Sequence, residues 1–302
     1  MHLLLSQENS LLFFFTFSLS LWIFGEEMGR RRGARGLVNV MFGWVRRQSV
    51  RVKVFLGAVA AILALVALKK LVRNHSHFFI AAEAVHAAGI LVLIYKLTTK
   101  KTCSGLSLKS QELTAIFLAV RLYGSLIIEM GIHALLDFVT LVPTLWVIYM
   151  IRFRLNSSYI KELDSMPRYY LVVPCAVLAI LIHPWLNVFQ FNRVCWAFSV
   201  YLESVSVLPQ LKLMQTAKMV EPFTAHYVFA LGVSRFFGCA HWIIQLIETR
   251  GYFLTYMGSG FLWYPALLLA EMVQTFILAD FCYYYVKSSM FGQLLPRLPS
   301  AA

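Results

Sequence analysis

Two arginines stand inside apolar stretches in matching settings. SQELTAIFLAVRLYG (110–124) and TAHYVFALGVSRFFG (224–238) align at an offset of 114, which pairs Ser110 with Thr224, Arg121 with Arg235 and Gly124 with Gly238. A third charge, Glu203, interrupts the oily segment VYLESVSVLPQLKLMQT (200–216). An arginine at bilayer depth costs roughly 2.5–3.5 kcal/mol on insertion scales unless it faces a partner or a cavity. Two readings follow and can coexist. In one, Glu203 neutralises an arginine internally. In the other, both guanidinium groups line a polar hollow and capture an anion, a carboxylate above all.

Helical spacing adds further groups. Trp196, Glu203 and Gln210 are seven apart and share a face, while Arg235, Gly238, Trp242 and Gln245 form a second polar-aromatic stripe. Glu83 and His86 are three apart. His86 is either an ordinary packing histidine or a proton switch, since imidazole titrates near pH 6.5, and a nearby Glu83 would favour its charged form. Asp280 anchors a gating network or caps a polar pocket. Glu129, Asp137 and Glu271 fall in no pattern.

These residues need a scaffold, and composition names it. Of 302 residues 60% are hydrophobic and only 14% charged, with mean hydropathy +0.70. Soluble domains carry about 25% charged residues. Long apolar runs between short polar links predict an all-α, multi-spanning membrane protein. Eight spans are expected at 54–72, 78–96, 112–128, 133–151, 169–186, 194–213, 224–247 and 261–286. The net charge of +13 suits helix ends at a cytosolic face better than nucleic acid. No metal-ligand spacing, nucleic-acid motif, nucleophile–base pair or cofactor motif is visible, so no cofactor and no enzymatic activity are expected. The cysteines Cys103, Cys175, Cys195, Cys239 and Cys282 read as packing residues.

The basic residues also orient the chain. With the N-terminus cytosolic, the cytosolic segments hold twenty of the 27 Lys and Arg and the opposite side five. Both termini are therefore expected in the cytosol. The expected organisation is an N-terminal extension with a basic arm (1–53), an extra helix (54–72), a seven-helix domain (78–290) and a tail (291–302). Met28 directly precedes GRRRGARG, so residues 1–27 could extend upstream of a later start. Within the domain, two three-helix repeats flank a linker helix at 169–186, a 3+1+3 arrangement. Duplicated halves of this kind commonly place a ligand site at their interface near mid-membrane. RRRGARG and WVRRQSVRVK could contact anionic lipid of the bilayer.

At KTCSGLSLKSQEL (101–113), VYLESVSVLPQL (200–211), HYVFALGVSR (226–235) and VQTFILADFCYYYV (273–286) the chain resembles the ER-lumen protein-retention (KDEL) receptors. It looks most like a plant receptor-related branch with an extra N-terminal helix. The resemblance implies a seven-helix receptor related in fold to PQ-loop sugar transporters. Such a receptor binds the C-terminal tetrapeptide Lys/His-Asp-Glu-Leu in the acidic Golgi and returns to the ER in coat-protein-I (COPI) vesicles. The roles it implies are Arg121 and Arg235 on peptide carboxylates, Trp196 and Trp242 as pocket walls, and His86 as proton sensor. Glu203 would belong to the internal polar network and Asp280 would serve return transport.

Several positions depart from the family pattern: Phe79 and Gln245 replace arginines, Gly124 an aspartate, Arg193 a glutamate, and Ser234 and Gly238 tyrosines. The tail LLPRLPSAA lacks the lysine-rich stretch used for coat recognition. Each lost hydrogen-bonding group removes about 1–3 kcal/mol, so altered peptide specificity is expected. The other readings are a PQ-loop-like small-molecule transporter and a Golgi membrane protein that no longer binds such peptides.

Overall fold

The structure is a computed structural model that describes residues 76–128, 132–185, 188–217, 220–249 and 262–290. The expected N-terminal arm, extra helix at 54–72 and tail lie outside the described residues. All but the first few described residues belong to one compact unit, Phe79–Ala302. Among them every regular element is helical. In a bilayer each backbone N–H and C=O must find its partner within the segment, and a helix does this. The chain is an all-α membrane protein.

The helices are α1 (Ser76–Tyr95), α2 (Leu108–Ile128), α3 (Ile132–Tyr149), α4 (Tyr169–Leu181), α5 (Gln190–Val205), α6 (Leu208–Thr216), α7 (Pro222–Glu248) and α8 (Trp263–Met290). Five stretches are long and apolar enough to cross a membrane: Phe78–Lys100, Ala134–Arg154, Gln190–Thr216, Pro222–Glu248 and Trp263–Ser288. The first and second of these stretches end in π-helical turns, Lys96–Lys100 and Met150–Arg154.

Three expected spans differ in detail, and the one expected at 112–128 is helical as α2 but is not among those five stretches. The segment expected at 169–186 is helical only over 13 residues, about 20 Å of rise. Ile182 is already extended (φ −129°, ψ 100°), and Pro184 disfavours helical geometry in the residue before it. The Tyr201 hydroxyl donates to the Ile182 carbonyl at 3.0 Å. The segment expected at 194–213 breaks at Ser206–Val207 into α5 and α6, with Pro209 in the first turn of α6. Proline fits there because the first turn needs no intrahelical N–H. Ser206 donates its backbone N–H and hydroxyl to the Glu203 carbonyl, and Ser110 donates to the Ser206 carbonyl at 2.7 Å. The break is thereby fastened to α2, and Glu203 ends up in the last turn of α5.

Gln210, expected on one face with Trp196 and Glu203, bonds the loop that precedes α2. Gln210 is fully buried; its amide donates to the Gly105 carbonyl at 2.9 Å, and its oxygen accepts from the Ser107 N–H at 2.8 Å. Gly105 has φ +76°, a left-handed conformation that suits glycine. Asp164, 1% exposed, accepts from the Ser107 hydroxyl, the Lys109 N–H and the Tyr159 hydroxyl. The KTCSGLSLKSQEL segment is therefore a tightly bonded loop leading into α2.

The core forms two clusters. One gathers Leu97, Leu106, Ile151, Met214, Tyr227 and Phe281; the other gathers Phe117, Leu118, Ala197, Leu202, Trp263 and Leu267. Helix α5 touches α2, α4 and α8, and α7 packs on α8. At Gly89 a Cβ would come within 3.1 Å of the Ala230 Cβ, so this glycine permits the close approach of α1 and α7. Helix α3 shows the inverted pattern of a membrane span. Asp137, Thr140 and Thr144 are buried while Leu135, Phe138, Val142 and Leu145 are exposed. All five cysteines are free thiols.

Lys96 ties α1 to α7. Its ammonium is fully buried and donates to the Ser104 carbonyl at 2.7 Å and the Thr224 hydroxyl at 2.8 Å. It also pairs with Glu221 at 2.9 Å, and Glu221 caps α7 by accepting from the Thr224 N–H. Burial alone would raise the Glu221 carboxyl, but the Lys96 charge and the Lys96 and Thr224 hydrogen bonds outweigh it and hold it below the usual carboxylate value of 4.5. A carboxyl depressed in the folded state stabilises it above the unfolded value, and that contribution is lost as pH falls through the folded value. Unfolding midpoints in detergent should drop as pH is lowered from 5 towards 3, and Glu221→Gln should flatten part of that drop. Superimposable pH profiles for the two proteins would contradict this linkage.

Candidate functional site

Glu203 sits where α5 ends against α2, and its two oxygens take one arginine each. Arg121 on α2 donates from Nη1 to Oε2 at 2.9 Å, and Arg235 on α7 donates from Nη1 to Oε1. Arg121 has two more acids around it. Its Nε donates to Asp137 Oδ1 of α3 at 2.7 Å, and its Nη2 donates to Glu83 Oε1 of α1 at 3.0 Å. Side-chain exposures are 14% and 12% for the arginines and 8%, 6% and 2% for Glu203, Glu83 and Asp137. The Phe117 ring lies 5.6 Å from the Arg121 guanidinium carbon and 6.0 Å from that of Arg235, within cation–π range.

The pairing is unequal. Every nitrogen of the Arg121 guanidinium is engaged by a carboxylate, whereas Arg235 has the single partner Glu203 among the described residues. Beside Arg235 lies a cavity of about 10 Å³, room for about one water. Its polar wall consists of His86, Ser110, Thr114, Glu203, Ser206 and Gln274. His86 is 1% exposed with both ring nitrogens unpartnered, and the Gln274 carbonyl oxygen is also buried without a partner. Donors and acceptors thus converge on a space that the arginine pair borders.

The structure therefore brings together Arg121, Arg235, Glu203, Glu83 and His86. It places Trp196 and Trp242 elsewhere: both are partly buried against the second core cluster, and the cavity lining does not include them. Trp196 packs on Trp263 with ring centroids 5.3 Å apart, and Trp242 lies 5.5 Å from His241. Asp280 is exposed on α8, without a hydrogen bond or ion pair among the described residues. At the departing positions, Phe79 meets His241 at 6.1 Å and Arg193 lies over Trp185 at 5.1 Å. A Cβ at Gly238 would stand 3.5 Å from Glu271 Oε2.

Glu129, Asp137 and Glu271 are the acids that fell in no pattern, and Glu129 lies outside the described residues. Asp137 had a readable signal, since Asp137, Thr140 and Thr144 follow helical spacing inside an otherwise apolar span. Glu271 had none. Among the described residues no group of three His, Cys, Asp or Glu is placed to hold a metal ion.

An all-helical membrane bundle built around a buried ionic centre is the class that fold and centre define. Its family is equally plain. The profile of the ER lumen protein retaining receptor matches residues 102–245. An ER lumen protein-retaining receptor of Petunia hybrida is 34% identical over 214 residues, 70% of this chain and 94% of that protein. Receptor B of Arabidopsis thaliana is 34% identical over the same shares, and the Entamoeba histolytica receptor is 31% identical over 71% of this chain and 95% of its own. The chain belongs to the ER lumen protein-retaining receptor family, which by its name is a receptor family and not an enzyme family.

Proposed function

We propose that this chain is a multi-pass receptor of the ER and Golgi that retrieves lumenal proteins through their C-terminal acidic peptide, with altered specificity. The carrying observation is the meeting of Arg121 and Arg235, on different helices, across one shared carboxylate. Two desolvated guanidinium groups beside an uncompensated histidine suit an anionic peptide end. Arg235, bordering the cavity with free N–H groups, receives the ligand. His86 senses protons, Trp196 and Trp242 bound the route to the site, and Asp280 with the COPI coat serves the return journey. Both termini face the cytosol, where basic loops contact the bilayer surface. The cavity holds about one water, so a tetrapeptide enters only when helices part.

Purified full-length protein should bind a labelled peptide ending in His-Asp-Glu-Leu more tightly at pH 5.5 than at 7.4, and show no flux of that peptide in proteoliposomes. Absence of binding for any C-terminal tetrapeptide at either pH overturns this reading. Uptake of a small molecule would instead favour a transporter on the same scaffold.

A further inference from the structure

Arg121 is not available to a ligand in the way Arg235 is. A guanidinium offers a two-pronged edge, Nε with one Nη, that matches the two oxygens of a carboxylate. On Arg121 that edge is filled by Asp137, whose Oδ1 lies 2.7 Å from both Nε and Nη2. Glu203 holds the remaining nitrogen, Nη1, and Glu83 shares Nη2 with Asp137. Asp137 itself is 2% exposed and projects from the buried polar line of α3, whose opposite face carries exposed Leu135, Phe138 and Val142. Its carboxylate is held at the arginine, with the Ser125 hydroxyl 3.5 Å from Oδ2.

We propose that Asp137 is the specificity-determining residue of the site, a resident carboxylate that occupies the arginine edge an acidic ligand side chain would need. The inference rests on the receptor reading and sharpens it. An arriving peptide uses Arg235 for its terminal carboxylate, and its acidic side chains find Arg121 already neutralised. Buried ionic groups discriminate by leaving the wrong partner unpaired or repelled. Here acidic side chains meet Asp137 as a like charge, whereas amide side chains meet no such repulsion. The expected ligand class is a C-terminal peptide whose penultimate residues need not be acidic.

The test is a binding titration of the full-length protein in detergent at pH 5.5. It compares wild type, Asp137→Asn, Asp137→Ala and Glu83→Gln against two labelled peptides, one ending His-Asp-Glu-Leu and one ending His-Asn-Gln-Leu. Asparagine keeps an acceptor for the Nε–H of Arg121 and removes the charge. Either Asp137 variant should bind the acidic peptide at least tenfold more tightly than wild type, with the amide peptide within twofold. Glu83→Gln leaves the two-pronged edge filled and should show no such gain. A merely structural aspartate would lower the unfolding midpoint and leave the peptide preference where it was.

If wild type binds and the Asp137 variants show no acidic gain, the inference is overturned and the receptor reading stands. An equal gain in Glu83→Gln also overturns it, because any charge removal would then suffice. Loss of the folded protein in both Asp137 variants assigns the residue to the scaffold and overturns it too. If no protein binds either peptide, both the inference and the receptor reading fail. Binding by the Asp137 variants alone supports the block by Asp137 and overturns the receptor reading for the wild-type chain.

Discussion

Arg121→Ala should destabilise the folded protein by about 3–5 kcal/mol, the loss typical when one partner of a buried charge pair is removed. The reason is the number of acids it serves. Glu83, Asp137 and Glu203 come from three helices and direct oxygens at one guanidinium. Without it, three carboxylates at most 8% exposed face each other in a bundle that admits little water. Arg235 remains on Glu203 but reaches neither of the others among the described residues. For a chain of this size such a loss lowers the unfolding midpoint by roughly 6–20 °C. Differential scanning fluorimetry in detergent reads it directly. A midpoint within 2 °C of wild type would mean that the three acids are neutralised in another way, and the ionic centre would lose its structural role.

Glu203 is the hinge of that argument, and its position was legible from physical cost alone. A carboxylate in an apolar span must face inward, and the arginines in matching settings told where its partners would be. The helices were legible for the same reason, because twenty-odd apolar residues crossing lipid leave little choice but a helix. The finer geometry depended on side chains that hydropathy does not see. Helix α4 ends at Leu181, three residues ahead of Pro184, and Gln210 gives its side-chain amide to the 105–107 loop. Asp137 went unread because its nearest sequence neighbours are apolar and its partner Arg121 lies on another helix, sixteen residues away.

The tryptophans teach a different lesson. Resemblance to a family implied walls at Trp196 and Trp242, yet the water-sized cavity is bounded by His86, Thr114 and Gln274 instead. The two tryptophan rings pack on Trp263 and beside His241. Aromatic side chains supply apolar contact there.

Arg235→Ala should separate binding from folding. Removing it leaves Glu203 still paired with Arg121 at 2.9 Å, so no buried carboxylate is stranded. Its effect on the unfolding midpoint should be well below that of Arg121→Ala. Peptide affinity should fall about a hundredfold, which corresponds to roughly 2.7 kcal/mol and is within reach of one or two charge-assisted hydrogen bonds. Arg235→Lys restores the charge but not the planar two-pronged edge, and should recover only part of the affinity. Titrations at pH 5.5 beside matched melting curves decide the matter. Undiminished binding by Arg235→Ala would remove the cation from the ligand site, and a melting loss equal to that of Arg121→Ala would make both arginines scaffold. The unequal bonding of the two guanidinium groups predicts neither: one holds the bundle together and the other meets what enters it.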